Sequence, residues 1–126
     1  LLDSPKTQKG TDRKYSHWNH PSSIWVRQNK SNMKWLLEHA IELCHEKKRR
    51  YPDKPIPYVY GFLQWCKDNM ELSTVPEGEL TTPPQCMPDH CKIENDCVMA
   101  YRNYYKKEKA GIATWKHAKQ PEWFIL

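Results

Sequence analysis

"SNMKWLLEHAIELCHEKKRR", residues 31–50, is the stretch that decides the fold. Met33, Leu36, Leu37, Ala40, Ile41 and Cys44 recur at the i, i+3, i+4, i+7 spacing that gathers side chains on one face of an α-helix. Glu38, Glu42, Glu46 and the block Lys47, Lys48, Arg49, Arg50 fall on the other faces. Ser31 is an N-cap residue type, and Pro52, Pro55 and Pro57 follow the block, so the spacing predicts a helix over 32–50.

Working outward, Pro21 suits a first helical turn and predicts a short helix over 22–28, with Trp25 in the core between Ile24 and Val26. Val59, Phe62, Leu63 and Cys66 share one side of a third helix over 58–69, which Gly61 weakens. Residues 71–93 carry Pro76, Pro83, Pro84 and Pro88 and read as a long irregular connection, functional or mobile. A fourth helix over 95–110 opens at Asn95 or Asp96 and closes at Gly111 as the C′ residue. Trp115 begins a short final segment, and the ending PEWFIL is apolar enough to dock on the body. No strand pattern, repeat or glycine-rich phosphate loop stands out. The expectation is an all-α fold: a small single-domain helical bundle with long Pro-rich loops, residues 1–18 forming a polar arm and 19–126 the helical domain.

The chain has 126 residues, one domain by length. Mean hydropathy is −0.95, so aliphatics alone make a thin core. Six Trp and seven Tyr compensate, since each large aromatic buries about 150–250 Å². No apolar run reaches 18 residues, which argues against a membrane span. The polar start LLDSPKTQKGTDRK is not a signal peptide, and it has no initiator Met, so an N-terminal segment is expected to be missing. Five Cys with no secretory signal read as reduced thiols. Cys44 and Cys66 fit core positions. Cys86, His90, Cys91 and Cys97 suggest zinc, but lack the paired short-knuckle spacing, so no metal and no cofactor is expected.

The net charge is +5. Two clusters carry much of the charge: Lys47–Arg50, and Lys106, Lys107 and Lys109 beside Tyr101, Tyr104 and Tyr105. A helix end is the simplest account of either, because cations complement the macrodipole there. Two such blocks beside aromatics point instead to a polyanion surface: cations for phosphates and rings for stacking on bases. In this reading Arg27, Lys34, Lys47, Lys48, Arg49, Arg50, Arg102, Tyr104, Tyr105, Lys106 and Lys109 bind nucleic acid. His20 and Asp89 are the weak candidates for proton transfer. Each has a plain alternative: His20 as a cap beside Pro21, Asp89 as a turn residue, Arg27 as a partner of Glu38 or Glu42. Tyr101 and Tyr105 are four apart and share a face, so part of the tyrosine group is structural.

"HPSSIWVR", "WLLEHAIELCHEKKRRYPDK", "PPQCMPD", "AYRNYYKKEKAGIATW" and "PEWF" together resemble a family of uncharacterised small proteins of phages and other DNA viruses, in order and spacing over residues 16–124. Those proteins usually carry a further N-terminal segment, with a helix bearing a Lys-His pair, that does not match here. A more distant resemblance goes to the phage pyrimidine dimer DNA glycosylase (endonuclease V) family, through His20, Trp25, Arg27, Leu36, Leu37, Leu43, Cys44 and Arg50, and through Tyr101, Arg102, Tyr104, Tyr105 and Lys109. That resemblance implies an all-helical viral DNA-binding protein, working in the cytoplasm of the infected host cell on damaged or modified bases. The glycosylase chemistry needs an N-terminal α-amine and a carboxylate in the first helix, and neither maps onto a position here. Whether the chain is an enzyme is therefore left open, as is its oligomeric state. The alternative is a non-enzymatic viral interaction module that binds protein or nucleic acid.

Overall fold

A computed structural model describes residues 17–125. The polar arm at 1–18 lies almost wholly outside the described residues. The fold is all-α, and no strand occurs among the described residues. Four helices follow one another: α1 (Pro21–Val26), α2 (Lys30–Arg50), α3 (Val59–Asp68) and α4 (Cys97–Glu108). Three single 3₁₀ turns lie at Met70–Leu72, Asp89–Cys91 and Ala110–Ile112. The described residues divide into two compact units, one up to Thr81 and one from Thr82.

In the first unit, α2 packs against both α1 and α3. Leu37, Ile41 and Cys44 are buried, at the predicted i, i+4, i+7 spacing. Trp25 of α1 is only 5 % exposed and meets Trp35 edge-on, with centroids 5.6 Å apart. The start of α2 departs from the expectation. Asn29, not Ser31, is the N-cap, and its Oδ1 accepts from the Asn32 amide at 2.9 Å. Asn and Ser cap about equally well. The choice falls to Asn29 because the Ser31 hydroxyl donates instead to the Gly78 carbonyl at 2.5 Å. The end of α2 is as expected: four cations fill its last turn and Pro52 follows Tyr51.

The same contact explains the segment 76–81, which has no repetitive structure of its own. The Lys30 amide donates to the Pro76 carbonyl at 2.8 Å, and Asn29 Nδ2 donates to the Glu79 carbonyl at 3.0 Å. Asn32 is fully buried. Its Nδ2 donates to the Trp25 carbonyl at 2.9 Å and to Thr81 Oγ1 at 3.0 Å, and its Oδ1 accepts from the Thr81 amide at 3.0 Å. The Trp25 indole also donates to Thr81 Oγ1, at 2.8 Å. So an Asn pair on α2 replaces the strand partner that an extended segment would otherwise need. Among the described residues no buried side-chain nitrogen or oxygen lacks a partner.

Gly61 sits inside α3, exposed, and a Cβ there would meet nothing within 4 Å. Gly61→Ala should therefore stabilise the chain by about 0.5–1 kcal/mol, because Ala loses less backbone entropy in a helix. Urea denaturation at unchanged slope would read it, and a destabilised variant would contradict the open space at this position.

In the second unit, α4 begins as expected. Asp96 is the N-cap and its Oδ1 accepts from the Met99 amide at 3.0 Å, while Asn95 sits before it at φ 62°. The end of α4 differs from expectation. The C-cap is Lys109, and Gly111 lies inside the 3₁₀ turn Ala110–Ile112 rather than in a left-handed C′ cap. The chain tightens by i to i+3 bonds there, which satisfy the last carbonyls without a left-handed residue. Tyr101 faces inward. Its hydroxyl donates to the Pro84 carbonyl at 3.0 Å and accepts from the Cys86 amide at 3.2 Å, and burial pushes its pKa up. Gln85 closes a two-bond bridge with Ile93, so the Pro-rich connection is tied down on this side as well. Phe124 is 4 % exposed and meets the rings of Trp115 and Trp123, so the PEWFIL ending packs within the second unit, although Ile125 stays exposed.

Candidate nucleic-acid interface

The two basic blocks fall in different units and are chemically unlike. At the end of α2 most of the charge is already spoken for. Arg49 and Arg50 both pair with Glu46, Arg50 Nε at 2.7 Å. These hydrogen bonds, Arg50's first and Arg49's second, hold the Glu46 carboxyl below the usual carboxylate range. Lys48 Nζ caps two carbonyls, of Pro52 and Lys54, each at 2.8 Å. Lys47 is exposed, and no ion pair is recorded for it among the described residues. Lys34 lies 3.9 Å from Glu38, which Lys67 approaches as well. Arg27 lies over the Trp18 ring, 4.0 Å from its centroid, and donates to the Trp18 carbonyl at 2.5 Å. Glu38 meets Lys34 and Lys67, and Glu42 meets His45, so neither is an ion-pair partner of Arg27 among the described residues.

On α4 two of the four cations, Arg102 and Lys109, rest on rings instead of carboxylates. Arg102 lies over Trp123 at 5.4 Å and Lys109 over Tyr104 at 5.4 Å. An aromatic face orients a cation without cancelling its charge, as a carboxylate would. No ion pair is recorded for Arg102, Lys106, Lys107 or Lys109 among the described residues. Helical spacing puts Arg102, Tyr105, Lys106 and Lys109 along one face, at i, i+3, i+4 and i+7, and no acidic side chain shares that spacing. Tyr105 is 47 % exposed on this face, tilted against Tyr104 at 5.9 Å. The shared tyrosine face is thus split between two roles: Tyr101 holds the loop, and Tyr105 is offered to solvent.

The proton-transfer candidates sit in local structural roles. His20 is the N-cap of α1, and its Nδ1 accepts from the Ser22 amide at 3.1 Å. Asp89 opens the 3₁₀ turn, with its side chain 97 % exposed and paired with Lys92 at 3.0 Å. A shallow depression of about 320 Å³ in the first unit is lined by Lys30, Ser31, Lys34, Met70, Glu71 and Glu77. It contains neither candidate, and Lys30 there pairs with Glu77 at 3.3 Å.

No disulfide joins any of the five cysteines. Of the four residues that suggested zinc, the structure gathers His90 and Cys91, and adds Glu108 from the end of α4. Cys86 and Cys97 are not in that cluster. Glu108 carries no sequence signal for this, since 17 residues separate it from Cys91. Sequence reading also missed Asn29, Asn32, Gly78 and Thr81. The signal available for them was the polar side chain of Asn32, five residues before Leu37 at the start of the buried stripe.

No protein-family model, curated protein or solved structure matches this chain. The class its own geometry defines is an all-α chain that presents one basic, aromatic helix face. No helix among the described residues is long and apolar enough to cross a membrane.

Proposed function

We propose that the chain binds DNA through the basic, aromatic face of α4 formed by Arg102, Tyr105, Lys106 and Lys109. The observation that carries the reading is the contrast between the two basic blocks: Lys48, Arg49 and Arg50 of α2 held by a carboxylate and carbonyls, Arg102 and Lys109 of α4 poised on rings beside a half-exposed tyrosine. Arg102, Lys106 and Lys109 would neutralise phosphates. Tyr105 would stack on an unpaired base, at roughly 1–3 kcal/mol. The resemblance to viral DNA-repair proteins favours DNA as the polyanion and the infected host's cytoplasm as the setting. Five cysteines without a disulfide suit a reducing compartment. The reading is one of binding. His20 and Asp89 are engaged in a cap and an exposed ion pair, so a bond-breaking step is not part of it.

Fluorescence anisotropy against duplex and single-stranded DNA over a salt series tests this. Replacing Arg102, Lys106 and Lys109 together by Ala should lower the slope of log affinity against log salt by about 2–3. Arg49→Ala and Arg50→Ala should change it much less, because Glu46 already takes those charges. Tyr105→Ala should weaken single-strand binding roughly tenfold to a hundredfold. No binding at low salt, or an unchanged slope in the triple variant, would remove α4 as the interface.

A further inference from the structure

We propose that His90, Cys91 and Glu108 form a binding site for a divalent transition metal of the zinc type. Each residue offers one ligand atom, and the three atoms lie within 4.8 Å of one another. His90 and Cys91 come from the 3₁₀ turn Asp89–Cys91 and Glu108 from the last turn of α4. Imidazole, thiolate and carboxylate are the donors that zinc takes, and three protein ligands leave a fourth position for water or substrate. Magnesium and calcium fit poorly, because they seek oxygen donors and a single carboxylate is on offer.

The three ligand atoms stand near metal-site spacing, and small side-chain movements would bring them to it. His90 Nε2 stands 2.6 Å from Glu108 Oε1, within hydrogen-bond distance. Zinc bonds of about 2.0–2.1 Å would hold these two atoms roughly 3.3 Å apart in a tetrahedron. The pair must therefore open by about 0.7 Å. Both side chains can do so, at 58 % and 39 % exposure. Cys91 is fully buried and unbridged, a fixed third corner. Binding removes the thiol proton to solvent: the S–H bond breaks, an S–metal bond forms, and no electron is transferred. The imidazole nitrogen that ligates must likewise be free of its proton, so affinity falls as pH is lowered. The metal would staple the Pro-rich turn to the end of α4, next to Lys106, Lys107 and Lys109.

The test is a titration of the reduced full chain with Co²⁺, followed by displacement with Zn²⁺. The expected result is one Co²⁺ per chain, with a thiolate-to-cobalt charge-transfer band and the intense visible bands of a tetrahedral site. Glu108→Gln and His90→Asn should each weaken binding by about tenfold or more. Both change exposed side chains, so circular dichroism should show unaltered helix. Cys91→Ser should abolish the charge-transfer band, and Cys97→Ser should leave it. Added Zn²⁺ should raise the thermal midpoint of the parent chain and not that of Glu108→Gln. The proposal is overturned if no band forms at one equivalent. It is equally overturned if the band depends on Cys86 or Cys97 in place of Cys91, or if both surface variants bind as tightly as the parent.

Discussion

Asn32→Ala is expected to lower stability by roughly 2–5 kcal/mol, a large effect for the loss of one small polar side chain. The side chain is fully buried and makes three hydrogen bonds across two segments that are far apart in the chain. Truncation leaves the Thr81 amide without its partner, and the Trp25 carbonyl keeps only its longer bond from the Gln28 amide, at 3.3 Å. A buried group so stranded costs about 1–3 kcal/mol. Removing one carboxamide also leaves a cavity that the surrounding helix cannot close. Thr81→Val should cost less. It keeps the shape and strands the Trp25 indole N–H and part of the Asn32 amide. Urea denaturation at an unchanged slope measures both. An Asn32→Ala loss below about 0.5 kcal/mol, the range of ordinary surface changes, would show that water takes over these bonds.

Gly78→Ala should be the second large loss, about 1–3 kcal/mol. A Cβ at position 78 would lie 2.7 Å from Asn29 Cβ and 3.0 Å from its Cγ. Asn29 cannot turn away. Its Oδ1 caps α2 and its Nδ2 holds the Glu79 carbonyl. Segment 76–81 must move instead, and the Ser31 and Lys30 bonds to it go with that movement. Gly111→Ala is the control, since nothing lies within 4 Å of the Cβ it would add. Faster hydrogen exchange at the Thr81 amide in Gly78→Ala would locate the loss. A Gly78→Ala chain as stable as Gly111→Ala would mean the close approach to Asn29 carries no energy.

These two residues also show where sequence reading stops. Four helices are legible because apolar spacing, prolines and caps are local signals. Leu37, Ile41 and Cys44 fall inward as their i, i+4, i+7 spacing requires. Asp96 caps α4 as its residue type suggests. The cap of α2 was misplaced by two residues because Asn29 and Ser31 have nearly equal capping preference. A tertiary contact, the Gly78 carbonyl, separates them.

The candidate interface divides in the same way. Charge blocks and tyrosines can be counted along the chain, so Arg102, Tyr105, Lys106 and Lys109 are visible as a cluster. Which cations keep their charge available is not visible, because it depends on the group each one meets. Arg49 and Arg50 have Glu46 three and four residues away, one helical turn, and that pairing was readable from local spacing. Arg102 and Lys109 meet Trp123 and Tyr104, and the Trp123 contact requires the C-terminal segment to fold back beside α4.

By itself, then, the sequence determined the helices, the amphipathic seam of α2 and the presence of two basic clusters, all properties that arise within a few residues of chain. The tertiary structure decided the rest. It set Asn32 against Thr81, 49 residues away, and brought Glu108 to His90, 18 residues away. Such pairs have no periodic signature, because a hydrogen bond or a ligand cluster needs proximity in space and places no constraint on the separation along the chain.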